Sequence, residues 1–126
     1  MYAGDFDKIA WAAGFFEGEG CLSVEGPNKK SRPDYSYPRL RITQHYNPEC
    51  LYWFKQAVGC GTIDGPRLNQ SGDRVVYQYS VGGGKAIDVI KKLRPMLTDG
   101  GKGGQIDEIL IKFGDRKWKV YGERNG

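Results

Sequence analysis

The sequence predicts an α+β domain in which an antiparallel four-stranded sheet carries helices packed on one face. Three observations predict it. Apolar residues recur at helical spacing in several segments and alternate with polar residues in others. These segments run helix, two strands, helix, two strands, helix, helix, with glycine, proline and asparagine clusters between them. At 126 residues the chain is long enough for one core and short for two, so residues 1–126 are read as a single domain.

The first helix is read over 5–18, where Phe6, Ile9, Ala10, Ala13 and Phe16 fall at helical spacing and Asp5 can cap the start. Strands follow at 21–25 and 37–46, because Leu22 and Val24, then Leu40 and Ile42, alternate with polar residues. Gly26-Pro27-Asn28 and Ser31-Arg32-Pro33-Asp34 between them are turn material. The second helix has the strongest start signal in the chain. Asn47 can cap it, Pro48 suits the first helical position, and Glu49 faces the positive end of the helix dipole. Leu51, Phe54 and Val58 then recur until Gly59 stops it. Strands at about 61–68 and 74–81 are joined through Asn69-Gln70-Ser71-Gly72. A third helix over 85–93 places Ile87, Ile90 and Leu93 on one face and ends at Pro95. After the glycine-rich stretch Gly100 to Gly104, a last helix aligns Ile106, Ile109, Leu110 and Phe113, and 115–126 reads as a basic tail.

Composition narrows the function classes. Three cysteines, Cys21, Cys50 and Cys60, are odd in number and show no metal-ligand pairing with the lone His45. That pattern suits free thiols in a reducing compartment and argues against a zinc site. Asp5, Asp7 and Lys8 near the N-terminus do not resemble a signal peptide, and no run is long and apolar enough for a membrane span. The expectation is an intracellular protein that is not secreted and has no membrane partner. The net charge of +4 fits a nucleic-acid partner without demanding one. The distribution says more. Lys29, Lys30, Arg32, Arg39, Arg41, Arg67 and Arg74 lie in two extended stretches among Tyr35, Tyr37, Tyr77 and Tyr79, on the sheet face expected to be free of helices.

The first helix breaks two local rules. Gly14 and Gly18 each cost about 0.5–1 kcal/mol relative to alanine, and with Ala10 they form a small-residue stripe that lets another helix approach closely. Ile9, Trp11, Phe15 and Phe16 make the rest apolar, so the helix should be buried nearly all round. Glu17 and Glu19 meanwhile crowd the negative end of its dipole. If the small face is a two-fold interface, two copies of Glu19 converge, and a hard divalent cation between them relieves their repulsion. A plain alternative is a glycine C-cap followed by a solvated acidic turn.

The segment Ala12-Ala13-Gly14-Phe15-Phe16-Glu17-Gly18-Glu19-Gly20 resembles the motif of the LAGLIDADG homing endonuclease family, in its variant ending Gly-Glu-Gly. Cys21 to Val24 looks like that family's first strand, and Arg41-Ile42-Thr43-Gln44 like the end of its second. Asn47 to Gly59 resembles the next helix, and Leu93 to Leu97 with Gln105-Ile106-Asp107 the C-terminal part. The motif here opens with alanine rather than leucine, and both of its acids are glutamates. The resemblance implies an αββαββα, homing-endonuclease-like fold and a chain that works as a homodimer through its motif helices, at Ala10, Ala13, Gly14, Glu17 and Gly18. It also implies metal-dependent cleavage of double-stranded DNA, tied to intron or intein mobility. Glu19, with the backbone carbonyl of Gly18, would bind Mg²⁺ (or Mn²⁺, with Ca²⁺ as a non-catalytic substitute), and no further small-molecule cofactor is implied. Gln44 matches a residue that orders active-site water, and Lys102 the basic residue near the phosphate. Glu17 is read as a structural acid, capping or bridging near the dimer interface.

A two-stranded ribbon fits the DNA major groove, where arginine prefers guanine and asparagine or glutamine prefers adenine. Alternation nominates Ser23, Glu25, Tyr35, Tyr37, Arg39 and Arg41, with Lys29 and Arg32 in the connecting loop. The later strands add Arg67, Asn69, Arg74 and Tyr77. A strand of about ten residues at ~3.3 Å each covers roughly ten base pairs, so two subunits would read a palindrome of about twenty. Two competing readings are a non-cleaving relative, either an RNA-splicing maturase or a DNA-binding regulator, and a small ribosome-associated protein.

Overall fold

The computed structural model describes residues 7–26 and 35–117. Lys29, Arg32 and the tail beyond residue 117 therefore lie outside the described residues. Helix α1 (Lys8–Glu19) runs directly into strand β1 (Gly20–Glu25), which is followed by β2 (Tyr37–His45) and helix α2 (Glu49–Val58). Strands β3 (Thr62–Leu68) and β4 (Val75–Gly82) lead to α3 (Gly83–Leu93), a short 3₁₀ turn over Arg94–Met96, and α4 (Lys102–Phe113). The sheet is antiparallel with strand order β1-β2-β4-β3, and its core face is covered by the helices. The α+β reading and the predicted order of elements match this architecture.

The ends differ by one to three residues from expectation, for local reasons. The N-cap of α1 is Asp7 rather than Asp5, its carboxylate accepting from the Ala10 amide at 3.0 Å. Asn47 does tie down the start of α2, its side-chain oxygen accepting from the Glu49 amide at 2.9 Å, but Pro48 sits at the cap and the helix begins one residue later. Gly59 closes α2 in the left-handed conformation, with φ of 92°, as its composition predicts.

The core forms where one face of every element meets. Leu40 and Ile42 of β2 and Tyr79 and Val81 of β4 face Ala12, Ala13 and Phe16 of α1, Leu51 and Phe54 of α2, and Ile87, Ile90 and Leu93 of α3. Its centre is aromatic, with the Phe54 ring edge-on to Tyr79 at 4.9 Å between centroids. Tyr79, nominally one of the surface tyrosines, is fully buried, and its hydroxyl donates to the Cys60 carbonyl at 2.7 Å. Burial raises the pKa of that hydroxyl, which keeps it the proton donor. Within the single chain, Ala10, Gly14 and Gly18 form an exposed stripe on the outer side of α1. Among the described residues, no helix is long and apolar enough to cross a membrane.

Candidate functional site

The C-terminal end of α1 is where the sequence-predicted chemistry collects. Glu19 is the last residue of the helix and is exposed. The next residue, Gly20, starts β1 and donates its amide to the Phe16 carbonyl. A Cβ at Gly20 would lie 2.0 Å from the Phe16 ring, so only glycine lets the chain pass from helix to strand at this point. Alternation along β2 places Gln44 on the same face as Leu40 and Ile42, but past the end of the core. There its amide donates to Glu19 Oε1 at 3.2 Å and to the Thr43 carbonyl at 3.0 Å. The two predicted residues thus meet although 25 positions separate them.

Glu17 turns the other way. Its carboxylate accepts from the Thr98 amide at 2.9 Å, the Thr98 hydroxyl at 3.0 Å and the Lys102 amide at 3.0 Å. The Thr98 and Lys102 amides lead in holding its pKa below the ordinary carboxylate range, against a smaller opposing effect of burial. An acid that is misplaced at the end of α1 is therefore well placed at the start of α4, where helix dipoles favour anions. All of these partners lie within the chain, at or just before the start of α4. Ala13, expected at a dimer interface, is instead fully buried in the chain's own core.

Lys102 comes to the same corner. Its ammonium donates to the Glu17 carbonyl at 2.8 Å, at the negative end of α1, and lies 5.8 Å from the centre of the Phe16 ring. The glycine-rich stretch before it has a steric cause. A Cβ at Gly101 would fall 2.6 Å from both Glu17 Oε2 and Thr98 Oγ1, and one at Gly103 would fall 2.5 Å from the Thr98 carbonyl oxygen. Arg94 braces this linker, pairing with Asp99 at 2.6 Å and Asp107 at 2.8 Å while donating to the Leu97 carbonyl.

Among the described residues, no three or more His, Cys, Asp or Glu side chains gather closely enough to hold a metal ion. Glu19 and the Gln44 amide offer hard oxygen donors, which suit Mg²⁺ or Ca²⁺, but too few of them. With Glu17 committed elsewhere, these residues fit a divalent ion only if further oxygen donors come from outside the chain.

The sheet face opposite the helices carries a polar layer. The register places Ser23 across from Arg39, Glu25 across from Tyr37, and Arg41 across from Ser80. Glu25 contacts Arg41 Nη2 at 2.5 Å and lies 3.3 Å from Arg39 Nε, and the Tyr37 hydroxyl donates to it at 3.4 Å. Burial pulls the Glu25 carboxyl upward, but the hydrogen bond and charge of Arg41, with the charge of Arg39, outweigh it and hold the pKa low. The Tyr35 ring lies 5.7 Å from that of Tyr37, tilted by 35°, with the Arg116 guanidinium 4.6 Å above it.

Of the remaining nominated contacts, Tyr77 leaves the open face, Arg67 stays on it across from Val76, and Asn69 and Arg74 lie at the β3–β4 turn. Tyr77 pairs with Gln44 and packs against the core, so it faces the helices rather than the groove. Arg67 is paired with Asp64, three residues away. The side-chain oxygen of Asn69 organises the β3–β4 turn, accepting from the Asp73 amide at 3.2 Å and the Arg74 amide at 3.3 Å. Arg74 itself is exposed in that turn. On the open face of β4 the polar side chains are Gln78 and Ser80, which the sequence reading missed. Gln78 donates to Thr43 at 3.1 Å, and Ser80 accepts from Arg39 at 2.7 Å. Polar residues set between Tyr77, Tyr79 and Val81 are the signal that identifies them.

Comparison with known proteins agrees with this arrangement. A family model described as LAGLIDADG endonuclease matches residues 12–98. The homing endonuclease I-CvuI, solved with the I-CreI target and Mg with the DNA uncleaved, is 27% identical, with a TM-score of 0.65. That match covers 85% of this chain and 66% of the other. The archaeal intron-encoded endonuclease I-Vdi141I, solved with DNA, is 25% identical with a TM-score of 0.65, over 85% of this chain and 67% of that one. Among curated proteins, a 1,4-alpha-glucan branching enzyme GlgB of Corynebacterium jeikeium is 27% identical over 106 residues. The chain spans only 14% of that protein's length, against about two thirds of the solved relatives'. With the motif helix, the antiparallel sheet and the Glu19–Gln44 corner in place, the chain belongs to the LAGLIDADG endonuclease family.

Proposed function

We propose that the protein is a homodimeric, divalent-metal-dependent endonuclease that cuts double-stranded DNA at a long, roughly palindromic site. The observation that carries this reading is the Glu19–Gln44 pair at the end of a helix whose outer stripe is bare. A Cβ at Gly14 or Gly18 would meet nothing within 4 Å. Packing inside the subunit therefore gives no reason for glycine at either position, while each costs the helix about 0.5–1 kcal/mol relative to alanine. Close approach of a second α1 supplies that reason, and a two-fold axis along the stripe brings two Glu19 carboxylates together.

Glu19 and the Gly18 carbonyl of each subunit would hold Mg²⁺ (Mn²⁺ similarly, Ca²⁺ without turnover). When bound, such an ion neutralises charge on a phosphodiester and acidifies water. The remaining work belongs to the chain itself. Gln44 fixes the Glu19 carboxylate and leaves its side-chain carbonyl oxygen to accept from water beside it. Lys102, held at the Glu17 carbonyl, keeps a positive charge at the corner where phosphates would lie. Arg39 and Arg41 on the open face would contact bases, and Arg74 phosphates.

Incubation with randomised duplex DNA and Mg²⁺, beside a Glu19→Gln variant, tests the proposal. The expected result is cleavage by the parent, and a loss of about 10²–10³-fold or more in the variant with binding retained, the scale of one preorganised electrostatic group. Binding by both without cleavage by either would overturn the nuclease reading in favour of a non-cleaving DNA-binding protein.

A further inference from the structure

The open face of the sheet carries a charged cluster assembled from three strands. Glu25 and Ser23 come from β1, Tyr37, Arg39 and Arg41 from β2, and Ser80 from β4. Arg39 is held by an ion pair and one hydrogen bond, and Arg41 by two hydrogen bonds. Arg39 lies 3.3 Å from Glu25 through Nε and donates through Nη1 to Ser80 at 2.7 Å, with its guanidinium 5.4 Å from the centre of the Tyr37 ring. Arg41 donates through Nη2 to Glu25 at 2.5 Å and through Nη1 to Ser23 at 3.4 Å. A guanidinium has five N–H donors, so both keep donors for a further acceptor pair. An unrestrained arginine on a sheet surface samples many rotamers, whereas these two are fixed side by side.

We propose that Glu25 is a positioning residue that makes Arg39 and Arg41 a rigid pair reading two guanines in each half-site. This rests on the DNA-cutting reading above and adds which bases are read and how. Arginine prefers guanine because two of its donors match the O6 and N7 acceptors in the major groove. Two strand residues at positions i and i+2 stand about 6.6 Å apart, close to two base-pair steps of about 3.4 Å. Arg41 is opposite Cys21, only two residues beyond Glu19, and Arg39 is two residues further out. The guanine read by Arg41 therefore lies nearer the centre of the site, with that of Arg39 about two base pairs further away. Glu25 also screens the pair from neighbouring phosphates, since its carboxylate cancels one of the two positive charges.

The test is selection of bound duplexes from a randomised pool in Ca²⁺, followed by sequencing, for the parent, Glu25→Gln, Arg39→Gln and Arg41→Gln. The parent is expected to prefer guanine at both positions by roughly tenfold or more over other bases. Arg41→Gln should lose the inner preference alone and Arg39→Gln the outer alone. Glu25→Gln should weaken both together while raising affinity for unrelated DNA, because it removes a negative charge and no donor to bases. A merely structural Glu25 would instead lower affinity for all sequences with the preferences intact. That result overturns the proposal, as does guanine preference surviving in both arginine variants. If Glu25→Gln does not fold, the two arginine variants decide the matter alone. A parent that selects no sequence at all refutes the DNA-reading function itself, which separates the two failures.

Discussion

On the proposed homodimer, replacing Gly14 by alanine should push the subunit and the dimer in opposite directions. Gly14 lies mid-helix and exposed in α1, and an added Cβ meets no atom of the subunit within 4 Å. Within the subunit the substitution therefore only improves helix propensity and should stabilise by about 0.5–1 kcal/mol. Across a tight helix pair the same methyl overpacks, at about 1–3 kcal/mol per site. The two-fold places one such site in each subunit, so the dimer should weaken by about 2–6 kcal/mol, or roughly 30-fold to 10⁴-fold in its dissociation constant. Sedimentation equilibrium over a range of concentrations measures the dimer, and urea unfolding below the parent's dissociation constant measures the subunit. An unchanged dissociation constant would refute the shared helix interface. A subunit less stable than the parent would refute the claim that the stripe is free of internal contacts.

Other perturbations probe the corner and the core. Glu17 ionises more readily folded than unfolded, so its contribution is present above the unfolded carboxylate range, near ~4.3, and is lost as pH falls through the folded value. Glu17→Gln should accordingly lose less stability than the parent between neutral and acidic pH in urea unfolding, and equal losses would show that the Thr98–Lys102 cradle is not formed. Gly103→Ala sets a Cβ 2.5 Å from the Thr98 carbonyl oxygen and should cost about 1–3 kcal/mol in the same measurement. Tyr79→Phe leaves the Cys60 carbonyl without its buried donor and should cost about 0.5–1.5 kcal/mol by calorimetry, with the fold retained.

What the sequence disclosed follows the range of the forces involved. The start of α2 at Asn47-Pro48-Glu49 and its stop at Gly59 are local chemistry and could be read almost to the residue. Strand β2 was equally legible because its apolar residues occupy one phase, Leu40 and Ile42. Strand β4 was not. Val75, Val76, Tyr77, Tyr79 and Val81 put apolar side chains in both phases, so the side of Tyr77 had to be settled by pairing with Gln44. In β3 the register shift between Asp64 and Arg67 breaks the two-residue period outright. The candidate site divides the same way. The awkward acids at the end of α1 were visible as a clash with the dipole, but the cradle that resolves it for Glu17 comes from residues more than 80 positions later. No local pattern encodes such a contact. The demand for glycine at 101 and 103 is invisible for the same reason, because it arises only when that linker closes on Glu17 and Thr98.

The junction between Glu19 and Gly20 has a mechanical consequence. Helix passes to strand with no intervening loop, and the Phe16 ring leaves no room for anything larger than glycine at the turn. On the proposed function, the acid that acts on the backbone and the strand that anchors the base-reading arginines are one unbroken stretch of chain without a hinge. The distance from recognised bases to cut phosphate is then a constant of the polypeptide, indifferent to which side chains the strand displays. Exchanging Ser23 or Arg41 would redirect the protein to new sequences while preserving the stagger of the cut. One residue inserted after Glu19 would invert β1, exchanging Ser23 and Glu25 for Leu22 and Val24 on the open face.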